Sequence, residues 1–129
     1  MIERNEIYQS IADKLLRLKE FDEIRPFASY VVLSSDEGKK KQGGGLILGQ
    51  CIRVNKIYEW CCPYDFMIVI YDSNVVNLSD RQLRILIRHE MHHMGYDMAG
   101  NEPTPFLVPH DYEEFEIIMR KFGIDWAKS

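Results

Sequence analysis

The sequence predicts an α+β domain, on three observations. Helix-period apolar stripes fall at residues 5–20, 79–94 and 111–121, strand-like runs fall at 28–34, 46–54 and 65–72, and 129 residues suffice for one core but not two. With 46% hydrophobic and 28% charged residues, the chain has the make-up of an ordinary globular protein, and we expect residues 1–129 to form a single domain.

In the first segment, Ile7, Ile11, Leu15, Leu16 and Leu18 recur at helical spacing between charged residues, and Pro26 keeps a helix from running on. Tyr30-Val31-Val32-Leu33 is β-branched and aromatic and runs into the turn sequence Ser35-Asp36-Glu37-Gly38, which predicts a strand and then a turn. Residues 38–45, with three lysines and three consecutive glycines, are too polar to pack and predict a mobile loop. Residues 46–54 alternate, with Leu46, Leu48, Ile52 and Val54 on one face and Gly49, Cys51 and Arg53 on the other. The unbroken run Phe66-Met67-Ile68-Val69-Ile70-Tyr71 predicts a strand covered on both faces at the centre of the sheet.

Ser79-x-x-Gln82 is a capping box and Asp80 adds a negative charge to the first turn, so a helix begins there. Leu83, Leu86, Ile87, Met91 and Met94 carry it forward, with Gly95 placed to stop it. The last stripe, Tyr112, Phe115, Ile118, Met119 and Phe122, predicts a closing helix that Gly123 ends.

A net charge of −4 and a pI near 5.5 argue against nucleic acid as the main partner, although Lys39, Lys40 and Lys41 cluster. The first residues show no signal-peptide pattern and no apolar run approaches a membrane span, so we expect a cytoplasmic protein. Cys51, Cys61 and Cys62 are odd in number and include an adjacent pair. We read them as buried, inert thiols in a reducing compartment.

The chemistry lies in His89-Glu90-Met91-His92-His93, a His-Glu-x-x-His motif inside the capped helix. One helical turn puts the imidazoles of His89 and His93 on one face, where a tetrahedral Zn2+ can bridge them, and Glu90 is placed to act on water beside the same metal. His92 is also one turn from His89. It leaves Glu90 out of register as a ligand, and we read it as a donor to the ligands instead. A catalytic zinc takes a third protein ligand. His110 leads, as the histidine outside the motif, with the 100–105 segment returning the chain; Asp111, Glu113, Glu114 and Glu116 are rivals. Asp111-x-x-Glu114 also reads as a capping box. Tyr96 and Tyr112 are candidate stabilisers of an oxyanion. The extended motif with glycine three and histidine six positions after His93 is absent, because Tyr96 and Ala99 stand there, which excludes a metzincin.

With this motif and the later His110-Asp111-Tyr112-Glu113-Glu114-Phe115, the chain resembles the phage metallopeptidase family, zincin-like proteins encoded by phages and prophages. The likeness spans most of the chain, through Phe122-Gly123-x-Asp125-Trp126, and there is a weaker similarity to SprT-like proteases. The resemblance implies a zincin-like fold, with His89, His93 and His110 as zinc ligands, Glu90 as the catalytic acid/base and a polypeptide substrate. Two other readings are a non-catalytic zinc-binding module that engages another protein, and a SprT-like protease acting on DNA-bound proteins.

Overall fold

The computed structural model describes residues 1–109, so the expected helix at 111–121, the capping pair Asp111 and Glu114, and Tyr112 lie outside the described residues. Within them the chain runs β1 (Ile2–Arg4), α1 (Glu6–Leu15), β2 (Tyr30–Ser35), β3 (Gly49–Arg53), β4 (Phe66–Tyr71), α2 (Asp72–Val75), α3 (Asp80–Met91), β5 (Met94–Asp97) and β6 (Thr104–Leu107). This is the mixed α+β class that the sequence predicts.

Four strands form one sheet in the order β1-β2-β4-β3, with β2 and β4 parallel and the other pairs antiparallel. The apolar run of β4 lies inside the sheet as expected; Phe66, Ile68 and Ile70 are fully buried, with Val69 and Tyr71 nearly so. Phe66, Ile68 and Ile70 join Tyr30 and Val32 of β2 on the face that α3 covers with Leu86, Ile87 and Met91, which makes the core. β1 was not anticipated. Three exposed residues carry no apolar pattern to announce a strand that exists through its ladder with β2.

α1 is shorter than the expected 5–20. Asn5 caps it by accepting from Tyr8 N at 3.0 Å, and the chain leaves the helix after Leu15 because Arg25 donates to the carbonyls of Leu16 and Leu18, both at 2.8 Å. A turn at Lys19–Phe21 then buries Phe21 in the core. Ile7 faces solvent; Tyr8, Ile11, Ala12 and Leu15 make the packed stripe instead.

The alternation of β3 also needs correction. Leu46 and Ile52 are exposed, whereas Cys51 packs on the core and Gly49 lies beneath α3. A side chain at position 49 would meet Ile70 Cδ1 at 3.2 Å, Val69 O at 3.3 Å and Glu90 Cγ at 3.5 Å, so the close approach of β3 and α3 selects glycine. Residues 38–45 are tethered at their two ends. Lys40 bridges Leu46, Gly43 and Gly44 turn the chain at φ 100° and 97°, and Asn74 Nδ2 donates to Lys39 O and Ile47 O at 2.8 Å each.

The capping box of α3 forms in both directions: Gln82 N donates to Ser79 Oγ at 3.2 Å, and Ser79 N donates to Gln82 Oε1 at 2.7 Å. The helix ends at Met91, not Met94. Met94 and Gly95 belong to β5, whose partner β6 takes up only the end of the expected 100–105 loop, from Thr104, with Met94 opposite Leu107 and Gly95 opposite Phe106. Gly95 is therefore not a helix stop; it leaves room for the Phe106 ring, which would lie 2.7 Å from an added Cβ.

Removing the cap hydroxyl by Ser79→Ala should cost about 1 kcal/mol, the usual worth of a serine N-cap. Urea unfolding followed by circular dichroism measures it, and an unchanged midpoint would show that the box does not hold the helix start.

Candidate metal centre

α3 delivers His89 and Glu90 from its last turn, and the turn that follows delivers His93. His92 N reaches both Arg88 O and His89 O at 3.2 Å, and His93 N reaches Glu90 O at 3.1 Å, so the helix tightens just past Met91. The spacing of the motif survives this change. Ligand-capable atoms of His89, Glu90 and His93 all lie within 4.8 Å of one another, and the two imidazole centroids are 5.1 Å apart with planes at 88°. His89 is half-buried, and Glu90 and His93 are buried.

The hairpin fixes His93. Val108 N donates to His93 O at 2.7 Å, and His93 Nδ1 lies 2.6 Å from Val108 O. A carbonyl oxygen only accepts, so Nδ1 carries the proton and the lone pair of the neutral ring is on Nε2. That nitrogen lies 3.9 Å from Glu90 Oε1. A ring held through one nitrogen by a backbone carbonyl is how proteins orient a metal-binding histidine.

Glu90 is 3% exposed, and burial pushes its carboxyl up to about 7 in the metal-free protein. Cys51 sits across from it, its thiol pushed up to about 12 by burial and then by the charge of Glu90, so it stays protonated. The site opens into a cleft of about 230 Å³, with Gly49 and Cys51 on one wall, Val108 and Pro109 on the other, and Glu90 and His93 between.

Two nitrogens and a carboxylate oxygen converging in a partly dry pocket make a donor set that suits zinc and other first-row metals. The structure brings together three of the residues the motif named. His110, the rival acids and Tyr112 fall outside the described residues. Tyr96 is turned away from the cleft: its hydroxyl donates to Asp65 at 2.8 Å and accepts from Ser29 N at 3.1 Å, and its ring packs edge-on against Phe66. His92 is no donor to the ligands either, since its ring stacks on Phe21 with centroids 4.5 Å apart and its Nε2 lies 3.1 Å from Glu20 Oε1. The cysteines are not uniformly buried; Cys51 and Cys62 are partly covered and Cys61 is exposed, because the 56–62 segment lies on the surface. Sequence reasoning missed Val108, which acts through its carbonyl and leaves no side-chain signal, and Gly49, which a glycine inside a strand run can flag.

A model of the family described as "Putative phage metallopeptidase" matches residues 1–129, the full length of the sequence. No curated protein and no solved structure matches the chain.

The burial of Glu90 has a measurable consequence in the metal-free state. Its folded pKa, about 7, lies above the ordinary 4.5, so between those values the folded chain keeps a proton that the unfolded chain has lost. The contribution is therefore fully present below pH 4.5 and is lost as pH rises to 7. Metal-free protein should lose about 3 kcal/mol of stability across that window relative to Glu90→Gln, from about 1.4 kcal/mol per pH unit. Urea titrations of both proteins in chelator at pH 5 and pH 8 measure it, and parallel pH profiles would refute a buried carboxylate cost.

Proposed function

The chain belongs to the phage metallopeptidase family, and from that premise we propose that it is a zinc-dependent peptidase of zincin-like fold, phage- or prophage-encoded and acting in the cytoplasm. One observation carries the reading: Val108 O fixes the His93 tautomer while the buried Glu90 carboxylate lies 3.9 Å from the nitrogen that bears the lone pair.

In this reading His89 and His93 hold the metal through their imidazoles, and His110 completes the set. Support for His110 comes from the chain path. Val108 is bonded to His93 and Pro109 lines the cleft, and His110 is the next residue in the sequence. Asp111, Glu113, Glu114 and Glu116 follow it and stay as rivals. Zinc, when bound, supplies a Lewis acid that acidifies water and polarises a carbonyl oxygen.

Glu90 then handles the proton. A carboxyl desolvated to titrate near neutrality accepts a proton from the attacking water and can return it to the leaving amine. The substrate backbone has a partner in β3. Tyr71 N donates to Leu48 O and Val54 N to Asp65 O, so by the alternation of an antiparallel ladder the even positions of β3 face β4. Gly49 and Cys51 therefore turn their N–H and C=O groups toward the free edge beside the cleft, where an extended polypeptide can pair with them.

The lysine cluster lends the DNA-linked reading little support, because Lys39 Nζ is drawn to Gln50 Oε1 at 3.0 Å and over the Tyr71 ring. No helix among the described residues is long and apolar enough to cross a membrane.

Metal analysis by mass spectrometry should find about one zinc per chain in the wild type and loss in both His93→Ala and His110→Ala, as for a three-ligand site. A folded wild type without metal would return the motif to chance. Glu90→Gln separates catalysis from structure: with casein or a peptide library as substrate, cleavage should fall at least about 100-fold while zinc stays bound. Undiminished cleavage in the variant would end the general-base assignment, and lost zinc would instead make Glu90 a ligand of a closed, non-catalytic centre.

A further inference from the structure

His93 stands two residues beyond the last residue of α3, so the His89–His93 spacing is not set by a continuing helix. Helix ends fray, because their final carbonyls lack helical partners. Here one side of the turn is held by the hairpin, through Val108. The other side is held from across the molecule by Glu20, 68 residues from Arg88 and 72 from His92.

The Glu20 carboxylate takes both. Arg88 donates to it in a bidentate pair, Nε to Oε1 and Nη2 to Oε2 at 2.5 Å each, and His92 Nε2 lies 3.1 Å from Oε1. Arg88 and His92 are one turn apart, and each immediately precedes one residue of the metal pair, His89 and His93. A single carboxylate thus spans the same helical turn on the face next to the ligand face. Its base is firm. Glu20 lies in the Lys19–Phe21 turn, whose Phe21 is 2% exposed and stacks on His92 with planes at 27°. The Arg88 guanidinium holds Glu20 below the ordinary carboxylate range, so it stays charged at neutral pH.

We propose that Glu20 is a positioning residue for the metal pair: by clamping Arg88 and His92 it fixes the turn that sets His93 against His89, and so tunes metal affinity without touching the metal. The inference rests on the metal reading above. Its rival is a surface brace, since all three side chains are roughly one-third exposed and pairs of that kind contribute little to stability.

Zinc affinity by chelator competition, the visible spectrum of the Co2+-loaded protein, and the melting temperature of the metal-free protein are measured for wild type and Glu20→Ala. The clamp predicts zinc binding about 10- to 100-fold weaker and an altered Co2+ spectrum, with the metal-free melting temperature moved by only a few degrees. Should Glu20→Ala fail to fold, Glu20→Gln, which keeps the size and removes the charge, is read in the same way. An unchanged Co2+ spectrum and zinc affinity within about two-fold of wild type, set against the larger loss usual for outer-shell changes, would overturn the clamp and leave a brace. A wild type that binds neither metal overturns the metal centre itself and the clamp with it, an outcome told apart by the wild-type measurement alone.

Discussion

The bond between His93 Nδ1 and Val108 O is the constraint on which the site depends. It joins the turn after α3 to the residue that follows β6, and with Val108 N to His93 O it makes a reciprocal pair continuing the β5–β6 ladder past Met94 and Leu107. The ladder therefore does two things. It draws the chain from the end of α3 into β5, which begins one residue after His93, and it chooses which imidazole nitrogen keeps its lone pair. If α3 ran on to Met94, residues 92–94 would stay in the helix and the cleft wall of Val108 and Pro109 would lose its attachment.

The second constraint is the space under Glu90. A carboxylate that is 3% exposed is costly to charge, and in the metal-free state burial raises its pKa to about 7. β3 closes over it with residues of small reach, Gly49 against Glu90 Cγ and a protonated Cys51 beyond. A larger side chain at 49 would push β3 outward and wet the carboxylate. The close approach of Gly49 to Ile70 and Glu90 thus contributes to the burial that raises the Glu90 pKa.

What the sequence made legible were features whose cause is local. The capping box, the apolar face of α3, the two-sided burial of β4 and the spacing of His89, Glu90 and His93 each rest on residues within a turn or two, and the structure shows them. What it hid had distant causes. The early end of α1 depends on Arg25 reaching back to Leu16 and Leu18, the strand state of Met94 and Gly95 on a partner ten or more residues away, and the inward face of β3 on a helix that arrives some forty residues later. Gly95 misled because a glycine after an apolar stripe is the usual mark of a helix end, and here it marks a ring packed on a strand. The roles of Tyr96 and His92 failed for the same reason: Asp65, Glu20 and Phe21 claim them, and none is near in sequence.

His92 shows how the fold resolves an ambiguity that the sequence contains. Three histidines within five positions offer two pairs at one-turn spacing, 89 with 92 and 89 with 93. About 100° of helical rotation separates neighbouring side chains, so a turn that aims His93 at His89 must aim His92 elsewhere. The fold gives it a destination in the stack on Phe21 and the carboxylate of Glu20, which also engages Arg88. With His92 so engaged, rotating the turn to exchange the two rings would break that stack, the Glu20 contact and the Val108 bond together. The orientation of His93 toward His89 is thereby held twice, once by attraction on the hairpin side and once by occupation on the other.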